Sequence, residues 1–191
     1  MRYLFSTAVL AFALLSCNSS NANNQKGHHT EILEVSNVDS LAVVKLGENL
    51  NKLAPLSPDV FKTKLKKEIN GFTLTEVEAF ISDESGAYCT ANYKKGDASA
   101  YLMISDGAGV GANSVVESLL NFLELKKIEE PGDKLNIKPY KGHQAYFDYS
   151  MFDGDGVTSI QYLEGDRYLV VSSGNGVTID ELKGLLDNFS L

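Results

Sequence analysis

The chain is poor in cysteine and histidine, with 2 Cys and 3 His in 191 residues. That excludes a disulfide-built scaffold and leaves no stock for a Cys/His zinc site. Positive charge is also short, at 17 Lys+Arg against 25 Asp+Glu, for a formal net charge of −8. A nucleic-acid binder held by a generally basic surface is thereby excluded, because neutralising phosphates takes clustered Lys and Arg. No G-x-S-x-G elbow occurs, His143 is the only histidine beyond residue 30, and Cys89 has no obvious base near it in sequence. The inventory for nucleophilic catalysis is therefore thin, and no catalytic residue is assigned. What is present, 43% hydrophobic and 22% charged residues, is ordinary for a globular domain and excludes a wholly disordered or fibrous chain.

The amino terminus has a different character. Arg2 precedes a nearly unbroken apolar run over residues 4–15, interrupted only by Ser6 and Thr7. This is the pattern of a signal-peptide core, too short for a spanning helix of about 20 apolar residues. It closes with Leu14, Leu15, Ser16 and Cys17, which resembles the lipobox of bacterial lipoproteins. The resemblance implies that residues 1–16 are a signal peptide, that the Cys17 thiol carries a diacyl lipid, and that the new amino terminus is acylated as well. Each buried methylene contributes roughly 0.8 kcal/mol, so several chains together hold a protein on a bilayer. An ordinary secretory signal, or a Cys17–Cys89 disulfide in an oxidising compartment, are the alternatives. Cys89 sits in a strand-like apolar pattern and reads as a small core residue.

Residues 18–30 are almost wholly polar. They read as a flexible tether reaching about 20 Å. Asn18, directly after Cys17, is similar to the enterobacterial sorting pattern for the outer membrane. His28 and His29 have no third ligand nearby and read as spacer. Removal of residues 1–16 takes away Arg2 and no acid, making the remainder one unit more acidic.

Residues 31–191 are expected to form one α+β domain, with a mainly antiparallel sheet of about six or seven strands and helices packed on it. Val43, Leu46, Leu50 and Leu53 recur at helical spacing, weakened by Gly47. Ser57, Pro58 and Asp59 open a second helix carrying Phe61, Leu65 and Ile69, with Asn70 and Gly71 as its stop. Ser114 and Glu117 suggest a capping box for a third helix, whose Val116, Leu119, Leu120 and Leu123 share a face. Thr178 and Glu181 suggest another for a closing helix. Strand periodicity is expected near residues 72–81, 88–93, 98–105, 135–138, 144–150, 157–163 and 168–173.

Three stretches, residues 53–61, Ser-Asp-Gly-Ala-Gly-Val-Gly-Ala at 105–112, and Gly-Asp-Arg-Tyr-Leu-Val-Val before the last helix, resemble a group of uncharacterised exported bacterial proteins. The order of elements is similar, more loosely, to the PsbP/Mog1/DcrB-like α/β/α fold. Neither resemblance implies a catalytic motif.

The strongest local oddity is the run Asp106, Gly107, Ala108, Gly109, Val110, Gly111, Ala112 between a strand and a helix. Gly107, Gly109 and Ala112 satisfy G-x-G-x-x-[G/A], and a helix N-terminus favours anions. The preceding strand is fed by a hairpin and carries Ser99, Tyr101 and Ser105, whereas a dinucleotide site needs a buried parallel strand. Asp106, Gly107, Gly109 and Gly111 are therefore kept as a candidate ligand loop, with a plain glycine-rich turn as the alternative. Asp153 to Gly156 suggest calcium, but Val157 and Thr158 break the EF-hand register, and a β-turn explains the same residues. Glu129 and Glu130 read as solvated charge. Lys62, Lys64, Lys66 and Lys67 read as the wet face of the second helix, and strand tyrosines such as Tyr88, Tyr93, Tyr101, Tyr146, Tyr149 and Tyr162 as half-buried sheet cover or a groove lining. The expected partners are a membrane, through lipid on Cys17, and an envelope protein. No nucleic acid, metal or cofactor is expected.

Overall fold

A computed structural model describes residues 29–128, 135–149 and 156–191. Helix α1 (His29–Leu50) begins ahead of residue 31, where composition placed the domain boundary, and gives way to turns at residues 51–53. Helix α2 (Pro58–Thr63) is entered as the sequence suggests, with Pro58 in its first turn and the Ser57 hydroxyl accepting from the Val60 N–H.

It does not run on to Ile69. The chain instead forms the short strand β1 (Glu68–Ile69), which pairs antiparallel with Phe72 and Thr73 of β2 (Phe72–Ser82). Asn70 at φ 50° and Gly71 at φ 82° make the two-residue turn between them. Asn-Gly is the pair that most readily takes two positive φ angles in a tight hairpin, so the expected helix stop is a strand-to-strand turn. Phe61, Leu65 and Ile69 are all buried in one core even so.

In β2 the apolar alternation changes phase between Leu74 and Val77, and the structure shows the cause. A β-bulge between Leu74 and Glu76 inserts a residue and moves the following side chains to the other face. Strands β3 (Gly86–Lys95) and β4 (Ala98–Asp106) follow as antiparallel hairpins. A 3-10 turn (Gly109–Gly111) then leads into helix α3 (Ala112–Ile128). Ser114 lies inside α3 and does not cap it, and the buried face is Ala112, Val115, Leu119 and Phe122. Of the face expected from sequence only Leu119 is buried.

Strands β5 (Leu135–Tyr140), β6 (His143–Asp148), β7 (Val157–Glu164) and β8 (Tyr168–Asn175) form a second meander. The eight strands make one antiparallel sheet in the order β1-β2-β3-β4-β8-β7-β6-β5. Two consecutive four-strand units thus meet at β4 and β8, and α3 carries the chain from the centre to the far edge. The class is α+β as expected, with β1 as the strand not anticipated.

Helices lie on both faces. On one, α2 and α4 (Ile179–Asp187) cover a core that includes Phe61, Tyr93, Leu102, Ile160, Leu182 and Leu185. On the other, α1 and α3 cover Ile137, Leu163 and Leu169 with Leu50, Val115, Leu119 and Phe122. Gly47, which weakens α1 by propensity, is buried against α3. A Cβ there would sit 2.3 Å from Val116 Cγ2, so the glycine permits the close approach of the two helices.

Helix α4 is held at both ends. Its first turn has the expected capping box, in which Thr178 Oγ1 accepts from the Glu181 N–H and the Glu181 carboxylate accepts from the Thr178 N–H. At its other end the Lys141 ammonium donates to the carbonyls of Leu186 and Phe189 at 2.8 and 2.9 Å, while paired with Glu164. Thr178→Ala is expected to lower stability by about 1 kcal/mol, read as a shift of the urea midpoint with unchanged slope.

Candidate functional site

Asp106, the first residue of the candidate loop, ends β4 and is fully buried. An isolated carboxylate there would be costly to desolvate, and four donors meet it. Arg167 Nε reaches Oδ1 at 2.7 Å and Arg167 Nη2 reaches Oδ2 at 2.9 Å, a bidentate pair. The N–H groups of Ala108 and Leu56 add bonds of 3.1 and 2.8 Å. Arg167 also donates to the Ala54 carbonyl at 3.0 Å and lies against the Tyr168 ring, 5.3 Å from its centroid. The pair to Asp106 holds the guanidinium pKa above its usual value. This carboxylate is fully engaged within the fold.

The glycines follow from that arrangement. A Cβ on Gly107 would lie 2.6 Å from the Arg167 carbonyl, to which the Gly107 N–H donates at 2.9 Å. On Gly111 a Cβ would lie 2.0 Å from the Asp106 carbonyl. Gly109 has φ +59°, a region that L side chains avoid. The loop is glycine-rich because backbone passes against backbone. The strand before it is antiparallel to both β3 and β8, so the parallel βαβ setting of a dinucleotide site is missing.

A concave site lies on the α1 and α3 face of the sheet, between those helices and the β5–β6 turn, with a volume of about 310 Å³. Val43, Leu46, Leu119 and Leu123 give it an apolar floor, and Asp39, His143, Gln144 and Asp166 a polar rim. His143 Nε2 lies 2.6 Å from Asp166 Oδ1. Such a pair is the base and orienter of a nucleophilic site, but the groove has no serine, threonine or cysteine among its described lining residues.

The remaining feature is an open sheet face. Residues opposite one another in an antiparallel pair share a face, so the register places Phe80 beside Tyr88, Thr90 beside Met103 and Val171, and Asn92 beside Tyr101 and Ser173. Helices α1 and α3 cover this face towards β5 and β6, through contacts such as Phe122 stacked on Tyr146. Over β2, β3 and β4 it is solvated: Phe80 is 43% exposed, Tyr101 40% and Met103 37%. Phe80 and Tyr88 stack at 5.2 Å. Of the tyrosines named from sequence, Tyr88 and Tyr101 belong here, Tyr93 and Tyr162 are buried in the opposite core, Tyr146 lies under α3, and Tyr149 accepts from Lys138. Alternation along β4 carried the signal, but which face the helices leave open was not legible.

Family models, curated proteins and solved structures were each compared with the chain, and none matched. The site is therefore read from its own chemistry. Cys17, His28, Glu129, Glu130 and Asp153 to Asp155 lie outside the described residues. Among the described residues no group of three or more His, Cys, Asp or Glu is placed to hold a metal, and no helix is long and apolar enough to cross a membrane. Lys62, Lys64, Lys66 and Lys67 are exposed, but only Lys62 lies on α2. Cys89 is buried in the core on β3, where desolvation pushes its thiol up to about 11.

Two outcomes are expected. Arg167→Met leaves Asp106 buried without its charge partner and should cost about 3–5 kcal/mol in urea unfolding, part of which Asp106→Asn in the same chain should restore. In a Cys17→Ala background, Cys89 should not react with a thiol reagent at pH 8 until the protein is unfolded. Its ordinary pKa is 9.0 and its folded value about 11. Above pH 9 the unfolded thiol therefore loses a proton that the folded one keeps, and stability should fall as pH rises from about 9 to about 11.

Proposed function

We propose that this chain is a lipid-anchored protein of a bacterial cell envelope, held by lipid on Cys17, whose α+β domain is a non-enzymatic binding or accessory module for another envelope protein. The anchor rests on the lipobox-like Leu14, Leu15, Ser16 and Cys17 behind an apolar run. The similarity of Asn18 to the enterobacterial sorting pattern favours an outer-membrane anchor, with the domain facing the periplasm or the surface. The observation that carries the docking role is the open face bearing Phe80, Tyr88, Tyr101 and Met103, apolar and aromatic groups interleaved with Thr90, Asn92 and Ser173. A face of large apolar side chains rimmed by polar ones is the usual form of a protein-docking surface.

The groove over Val43, Leu46, Leu119 and Leu123 supports a second reading, a carrier of a small apolar ligand. The lipid-anchored hydrolase is the weaker alternative, resting on His143 and Asp166 alone.

A fatty-acid analogue fed to expressing cells should label the chain, and Cys17→Ala should abolish both label and membrane association. A photo-crosslinker at Met103 should capture a discrete envelope partner that one at exposed Lys62 on α2 does not. Equal capture from both positions would count against docking through the open face, and saturable uptake of a fluorescent fatty acid, lost in Leu119→Glu, would shift the reading to the carrier.

A further inference from the structure

Strand β2 is the long outer strand on its side of the sheet. Its inner edge pairs with β3 from Thr73 to Ser82, but its outer edge meets only Glu68 and Ile69 of β1, opposite Thr73 and Phe72, and the Lys67 carbonyl, which accepts from the Leu74 N–H at 2.8 Å. Beyond the bulge, residues 76–82 form a regular strand with no paired strand on that side among the described residues. A free edge of this kind offers a row of backbone donors and acceptors, and proteins ordinarily blunt it with lysine, proline or a covering element. Here neither lysine nor proline occurs in residues 72–82. Ile81 is 55% and Phe80 43% exposed.

The side chains along this edge are sorted by face. Val77, Ala79 and Ile81 alternate on the side of the α2 and α4 core, paired with Ala91, Cys89 and Ala87. Glu76, Glu78 and Phe80 point to the open face. All the charge on the strand is therefore negative, and Asp83 and Glu84 in the following turn add to it. A second copy fits poorly, because antiparallel self-pairing of β2 would bring two sets of four carboxylates to one seam on chains that already carry −8, and like charges across strands are destabilising.

We infer that the outer edge of β2 at residues 76–82 accepts an extended segment of a partner protein as an added strand, with Lys or Arg over Glu76 and Glu78 and apolar residues beside Val77, Ala79 and Ile81. Backbone pairing supplies the docking, and the alternation of basic and apolar residues supplies the choice of partner. This rests on the docking-module reading and names the partner chemistry for it.

The test uses the full-length chain and a capped octapeptide alternating Lys and Val, with a Glu/Val counterpart. The Lys/Val peptide should bind, measured by fluorescence anisotropy, and should slow amide exchange at residues 76–82. The Glu/Val peptide should bind at least tenfold more weakly, and Glu76→Lys with Glu78→Lys should reverse the preference. N-methylation of one alternate set of peptide amides should abolish binding, while methylation of the other set leaves it unchanged, since only one set faces β2. Equal loss with both sets, or slowed exchange only around Tyr101 and Met103, would overturn strand addition while leaving the docking module standing. No binding and no crosslink at Met103 would remove both. Slowed exchange at residues 76–82 in a dimer without peptide would make a second copy the occupant and overturn the inference.

Discussion

A buried carboxylate requires partners, and at Asp106 the partners set the geometry of three separate stretches of chain. Leu56 follows α1, Arg167 stands in the β7–β8 turn, and Asp106 ends the central strand β4. Because the carboxylate is fully out of water, the Leu56 and Ala108 N–H groups and the Arg167 guanidinium all have to come close enough to donate to it. The requirement propagates. Gly107 and Gly111 are small because the Arg167 and Asp106 carbonyls pass over them, and α3 begins where that turn releases the chain. The direction in which α3 leaves β4 then decides which part of the sheet is covered.

Coverage is unequal for that reason. Helices α1 and α3 pack together, closely enough for Gly47 to be needed at their contact, and both lie towards the second meander. One consequence is the groove beside His143. The other is the solvated face over β2 to β4, with β2 open along its outer edge. Both candidate binding surfaces are what one pair of helices leaves uncovered, and the docking role proposed for the domain follows from that asymmetry.

Elements whose cause is local were legible in the residues. The capping box of Thr178 and Glu181 is formed as expected, because its four positions satisfy one another without help from the rest of the fold. The strand expected near residues 72–81 is formed as β2, and the structure adds a β-bulge between Leu74 and Glu76 within it. Local cues misled where two structures share one pattern. Phe61, Leu65 and Ile69 suit a helix by spacing, but Asn70 and Gly71 suit a hairpin more strongly, and the sheet supplies the partner strand. Ser114 and Glu117 have the right spacing for a cap, but the glycine turn starts the helix ahead of them.

Sequence by itself determined the class of the domain, the positions of most strands, the closing helix and the lipobox-like segment on which the anchor proposal rests. These depend on periodicity and on contacts within a few residues. Tertiary structure alone decided that Asp106 is a structural node joined to Arg167, 61 positions away, that Tyr88 and Tyr101 face solvent while Tyr93 and Tyr162 are buried, and that β2 is an outer strand. Alternation gives every strand two faces and every strand two edges. Which face is covered and which edge is paired depends on helices and strands distant in the chain, and no local pattern encodes it.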